Sequence, residues 1–535
     1  MSLIRSITLC VLLGCSMTAA AVSTPEQLIG ANCAGCHQDT ANPDAPFSRM
    51  TNQRKTPEGW QMTLFRMQQV HGVQFIDPAE EMSPAEVKRV LVRHFADRNG
   101  LAPSETAPYR YILEQRLNTI EQHDNEQYAQ MCARCHSGAR VGLQRRTEQE
   151  WTHLVHFHLA QFPTTEYSMM GRDRDWIGIA LNEMVPLLSE QFPMQSSAWD
   201  QWTQSPAIEF EGNWRVIGRM HEKGRYDGIM QVTAGEDRGY SVALQGQFEN
   251  GESFEGTGQA TVFTGYEWRA TLSIDGVEYR QVFAAATDGT LSGRMFQTEH
   301  TELGLDFLAA RNDGTARVMG VYPNYLRQGQ EQNLTVIGTD MSGEIDLGAD
   351  VEIIDRIASD SQRMVVRVKA AEQAMVGTRS LTVGATSAAD ALTVFDTIDR
   401  IQVLPEYAIG RVGDNGGSTP RRHALFDAIA WNAGPDGESG TADDVRVGIV
   451  PANWHVEPWD EQAERDEDVR FTGDMDTVSG RFSPGPAGPN PERKYGTNNA
   501  GNLKVVATVT DGVQTLNGEA HLIVTVQRWN NPPIP

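Results

Sequence analysis

Cysteine is scarce in this chain, six in 535 residues. That scarcity excludes a fold built on disulfides, which needs bridges at high density. Basic residues are also in short supply: 45 Lys and Arg stand against 70 Asp and Glu, a formal net charge of −25. A surface of that sign repels nucleic acid and anionic membranes and attracts basic protein surfaces. Long apolar runs are missing outside the N-terminus, where Ile7 to Leu13 is too short to cross a bilayer, so no membrane span is expected. The chain shows no P-loop, dinucleotide fingerprint or Ser/His/Asp constellation.

The cysteines that are present fall in two places. Cys10 and Cys15 lie in the N-terminal stretch, where Arg5, the apolar run and Ala19-Ala20-Ala21 read as an export signal over residues 1–21, cleaved after Ala21. Leu12-Leu13-Gly14-Cys15 also resembles a lipoprotein box, which would leave a lipidated Cys15 instead. Either route takes the chain out of the cytoplasm, and the periplasm is the expected location. The other four cysteines form Cys33-Ala34-Gly35-Cys36-His37 and Cys132-Ala133-Arg134-Cys135-His136.

C-x-x-C-H is the attachment signal for c-type haem: two thiols bond the porphyrin vinyl groups and the adjacent His reaches the iron. Paired disulfides or a zinc knuckle are the competing readings. Zinc would need two more ligands at fixed spacing from each pair. Cys33, Cys36, Cys132 and Cys135 are therefore expected to hold two covalently bound haems, with His37 and His136 as proximal ligands.

Residues 22–203 read as helical, with Ser83-Pro84-Ala85-Glu86 as a capping box and Leu101 to Pro108 as a turn-rich joint between two halves. The halves repeat: Thr56-Pro57-Glu58-Gly59-Trp60 matches Thr147-Glu148-Gln149-Glu150-Trp151. Seven residues past each Trp, two turns along one helix face, stand Met67 and His158. Met and His are the usual sixth ligands of electron-transfer haems, so the expected pairs are His37/Met67 and His136/His158. Met62 and His71 compete for the first iron. His153, His156, Met169 and Met170 compete for the second.

From about Ile208 onward the period switches to two, with Gly, Asn and Asp at turns. Residues 204–313, with Tyr240, Val242 and Leu244 and then Trp268, Ala270, Leu272 and Ile274 alternating, predict an antiparallel β-barrel. Residues 314–396 and 397–535 predict two immunoglobulin-like β-sandwich domains. The expected class is thus multidomain α plus β: an all-α di-haem cytochrome c region followed by β domains. The acidic loop Asp436 to Asp444 offers oxygen ligands to calcium without full EF-hand spacing, and reads better as a solvated turn.

The order of these parts resembles the alpha subunit of quinohemoprotein amine dehydrogenase. The resemblance rests on both haem motifs, on Thr56-Pro57-Glu58-Gly59-Trp60 through Arg66-Met67 to His71-Gly72, on Gly100-Leu101-Ala102-Pro103 and on Arg172-Asp173-Arg174-Asp175-Trp176. It implies a periplasmic heterotrimer that deaminates primary amines oxidatively. In that assembly a small gamma subunit carries a cysteine tryptophylquinone, the beta subunit is a propeller, and the alpha subunit relays electrons to an acceptor such as a blue-copper protein or a cytochrome c. The alternatives are a di-haem cytochrome c peroxidase-like enzyme and an exported electron-transfer module with adhesive β domains.

Overall fold

The computed structural model describes residues 23–37, 47–162, 174–235, 239–415 and 419–526. The predicted export signal with Cys10 and Cys15, and the competitors Met169 and Met170, lie outside them. The chain forms two compact units, one of residues 1–102 and 142–200, the other of residues 103–141 and 201–535. Among the described residues no helix is long and apolar enough to cross a membrane.

The first unit is built from helices whose starts are written locally. Helix α1 (Pro25–Asn32) has a capping box between Thr24 and Gln27. Helix α2 (Pro57–His71) is capped by Thr56, begins on Pro57, and ends at Gly72, whose φ of 73° is left-handed. Helix α3 (Pro84–Arg98) carries the Ser83/Glu86 box, and α4 (Glu148–Gln161) is capped by Thr147. Buried Trp60 stacks on Phe95 at 4.9 Å, fixing α2 against α3. Thr147 Oγ1 accepts from Glu150 N at 3.3 Å, so Thr147→Ala should cost about 1 kcal/mol, read as an earlier unfolding midpoint of this unit.

A two-stranded ribbon joins the halves of the repeat. Strand β1 (Gln53–Lys55) pairs antiparallel with β2 (Gln144–Arg146), in the register Gln53↔Arg146, Arg54↔Arg145 and Lys55↔Gln144. The offset that carries Trp60 to Trp151 also carries Arg54 to Arg145, so the ribbon centre lies on a local two-fold relation between the halves. The contacts repeat accordingly, with Lys55 Nζ 5.2 Å from the Trp60 ring and the Arg146 guanidinium 5.6 Å from Trp151. Arg66 and Phe157, equivalent under the same offset, meet at 4.6 Å. Three-residue strands are too short to show alternation, which is why the helical reading of 22–203 lacks this ribbon.

The second unit holds an eight-stranded closed barrel. Strands β3 (Gly212–Met220), β4 (Gly224–Ala234), β5 (Gly239–Phe248), β6 (Ser253–Phe263), β7 (Glu267–Ile274), β8 (Val277–Ala285), β9 (Thr290–Gln297) and β10 (Gly304–Arg311) pair in sequence order, and β10 returns to β3. Closure leaves no free edge. Trp268, Leu272, Ile274, Val242 and Leu244 enter the barrel core, as their alternation predicts. Asp275 and Gly276, at φ of 50° and 81°, make the tight β7–β8 turn. Segment 103–141 belongs with this unit: Thr106 Oγ1 meets Tyr266 Oη at 2.9 Å, Arg116 pairs with Asp306 at 2.7 Å, and Arg294 donates to the carbonyls of Glu114 and Gln115.

Beyond the barrel, two four-stranded sheets over residues 317–395 share one core of Leu334, Val336, Val366, Leu381 and Val394. The last region, 400–525, has three sheets around Phe426, Trp454, Phe482 and Leu522. In its acidic loop, Asp444 accepts from Gly440 N at 2.9 Å and pairs with Arg400 at 3.0 Å, which holds its carboxyl below the usual range.

Candidate haem attachment sites

The first attachment motif follows α1 directly. Cys33 caps that helix, and a single turn, Ala34–His37, carries Cys36 and His37, with His37 N donating to Cys33 O at 3.0 Å. Successive thiols on one turn are what a porphyrin bridging two vinyl groups requires. His37 Nδ1 lies 3.3 Å from Ser48 O, and Ser48 N and Oγ donate back to His37 O. A carbonyl can only accept, so the Nδ1 position carries the proton and Nε2 keeps the lone pair that binds iron.

The second motif begins within a short π-helical turn, Ala129–Ala133, which includes Cys132. His136 Nδ1 lies 2.9 Å from Ser137 O, the same proton placement. The loop after it is pinned by Glu121, whose carboxylate accepts from Ser137 Oγ, from Gly138 N at 2.7 Å and from Tyr111 Oη at 2.6 Å. These bonds hold the Glu121 carboxyl below its usual range against a desolvation that would raise it. Buried Tyr128 closes the turn by donating to Gly138 O at 3.0 Å.

The four cysteines of the two motifs are free thiols. Burial pushes the Cys33 thiol up to about 11 and the Cys132 thiol up to about 12. Unpaired thiols, together with imidazoles whose Nδ1 is held by a carbonyl, fit covalent haem and not the disulfide reading.

Met67 and His158 take equivalent places on α2 and α4, and both are half-buried. His158 Nδ1 lies 2.9 Å from Leu154 O, one turn back, which again assigns the lone pair to Nε2. Its ring neighbours are Phe157, Phe162 and Trp176, with centroids 6.2 to 6.4 Å away. Among the competitors, His71 and His156 are exposed, while Met62 and His153 are half-buried. His136 belongs to the second unit, and Met67 and His158 to the first.

Between α2 and α4 lies a feature that sequence patterning did not reveal. Glu150 has a side chain only 2% exposed and meets Arg49 at 3.1 Å and Arg146 at 3.6 Å. Lys55, also buried, donates to Thr63 Oγ1 at 2.8 Å. Desolvation first, then the nearby Arg146 and Arg66, holds the Lys55 ammonium well below its ordinary range. Arg146 is lowered to about 10, chiefly by burial. Neither Ser48, Glu121 nor this cluster carries a sequence signal, because each is defined by contacts across the fold.

Comparison with known proteins covers nearly the whole chain. Residues 23–199 match the haem-binding domain of the alpha subunit of quinohemoprotein amine dehydrogenase, 207–312 its domain II, 315–396 its domain III and 401–534 its domain IV. No curated protein matches. Among solved structures, a de novo designed fluorescence-activating β-barrel is 21% identical over 19% of this chain and 93% of its own, with a TM-score of 0.16. Drosophila N-cadherin EC1-3 is 12% identical over 50% of this chain and 86% of its own, with a TM-score of 0.21. Likenesses at these scores carry no argument.

Proposed function

Since this chain belongs to the quinohemoprotein amine dehydrogenase alpha-subunit family, we propose that it is the di-haem electron-transfer subunit of a periplasmic amine dehydrogenase. On this reading electrons leave a cysteine tryptophylquinone in a small partner subunit during oxidative deamination of a primary amine and reach an external acceptor, a blue-copper protein or a cytochrome c. A propeller subunit completes the heterotrimer. The observation that carries the proposal is the pair of complete C-x-x-C-H motifs inside a chain matched along its length by this family. The immunoglobulin-like character of residues 314–396 and 397–535 belongs to the same proposal, as platforms for the partners.

Haem c supplies a one-electron Fe(III)/Fe(II) couple when bound. The chain's residues do the rest. Cys33 and Cys36, and Cys132 and Cys135, tether the two groups. His37 and His136 present Nε2 because Ser48 O and Ser137 O hold Nδ1. Met67 and His158 are proposed as sixth ligands, the thioether giving the first site the higher potential. The arginines between α2 and α4 favour the electron-rich state of a group placed beside them. Every cysteine beyond the export signal is taken by these motifs, leaving none for a thioether-linked quinone.

Aldehyde release from a primary amine, followed together with haem reduction, tests the assignment. The chain alone should show neither, and the complex with quinone-bearing and propeller subunits should show both. Amine turnover by the single chain, or peroxide turnover at an enzymatic rate, would count against it and favour the peroxidase-like alternative. The ligand assignment has its own readout. Met67→Ala and His158→Ala should each shift one haem potential by on the order of 100 mV with both haems still attached. If His71→Ala moves the higher potential and Met67→Ala does not, His71 is the ligand.

A further inference from the structure

We propose that His300, Glu302 and His423 form a binding site for a divalent transition-metal ion, zinc by ligand type, joining the barrel to the last β region. His300 and Glu302 lie in the β9–β10 connection, where Leu303 N donates to His300 O at 2.8 Å to close a turn that puts both side chains on one side. His423 comes from the approach to the short strand Ala424–Leu425. One ligand atom from each of the three lies within 4.8 Å of the others. The two rings stand 5.6 Å apart, centroid to centroid.

The chemistry is that of a zinc site with an open position: two imidazoles and one carboxylate. Tetrahedral ligands at about 2.0–2.2 Å stand about 3.3–3.6 Å apart, so binding draws the three side chains together by at most about 1.5 Å. Rotamer adjustment on turn residues supplies such a movement. Supporting contacts are already made. Glu302 Oε1 accepts from His423 N at 3.1 Å and from His300 Nδ1 at 3.2 Å, which orients the carboxylate, while its side chain is 9% exposed. His423 Nδ1 meets Ser483 Oγ at 3.1 Å, which directs Nε2 toward an ion, as a carboxylate or hydroxyl behind a ligating His commonly does.

The positive charge of Arg481 acts on His423. The same arginine repels a cation. Arg481 is partly offset by Glu222 at 3.1 Å, and Arg421 by Asp414 at 2.6 Å. The balance predicts an affinity looser than that of a closed four-ligand structural site. The inference stands apart from the haem reading, since no residue is shared.

The test uses the tag-free, haem-loaded full chain, stripped with chelator and titrated with zinc chloride. Wild type should bind one zinc per chain at this site, with an anomalous-diffraction peak at the zinc edge between the three side chains. Glu302→Gln and His423→Gln should each weaken that binding at least tenfold while near-UV circular dichroism of the barrel stays unchanged. Glu302→Gln keeps an acceptor for His423 N and so preserves the turn if one variant misfolds. No zinc peak among these residues, or equal affinity in wild type and both variants, overturns the proposal.

Discussion

Replacing Cys33 and Cys36 together by serine should remove one haem from the mature chain, and replacing Cys132 and Cys135 should remove the other. The intact mass of the exported wild type, made with a working haem-attachment system, should equal the cleaved chain plus two haem groups. Each double variant should fall by one, an all-or-none effect at its site, because the hydroxyl of serine does not form the thioether. The structure strengthens the expectation. The thiols are unpaired, and the imidazole beside each pair has its Nδ1 held by a carbonyl. A wild type lighter only by its thiol hydrogens, with no haem, would instead establish disulfides. Retention of both haems by either double variant would break the assignment of Cys33, Cys36, Cys132 and Cys135.

Glu150→Gln should destabilise the first unit by about 3–5 kcal/mol, because it strips the buried carboxylate from a cluster that keeps its cations. Gln preserves volume and polarity, so the loss isolates charge. Arg146, 5% exposed, would keep its bond to Gln144 Oε1 at 2.8 Å, and Lys55 its bond to Thr63. Denaturant unfolding of the Cys132→Ser/Cys135→Ser chain, whose remaining haem is tethered in the first unit, followed at the haem absorption band, reads this unit separately from the β regions. Adding Arg146→Met to Glu150→Gln should recover part of the loss, since removing both partners costs less than orphaning one. If Glu150→Gln unfolds at the wild-type midpoint, the cluster is solvated and the charge argument fails.

Chemistry written in neighbouring residues was legible from the chain alone. A C-x-x-C-H run acts within one turn, a Thr or Ser cap acts across three residues, and a barrel strand shows its inward face by alternation, so local pattern specified each of them. The repeat of Trp60 and Trp151 was legible for the same reason, and it placed Met67 and His158 on matching helix faces. What tertiary structure decided was which distant groups serve these elements. Ser48 orients His37, Glu121 pins the loop after His136, and β1 pairs with β2 across the local two-fold. Segment 103–141 joins the barrel unit because Arg294, Arg116 and Tyr266 satisfy its polar groups. His300 and His423 meet only once the barrel and the last region have packed. Such contacts depend on where chain closure brings remote side chains and on the need to satisfy each polar group buried there, and neither leaves a periodic trace in the order of residues.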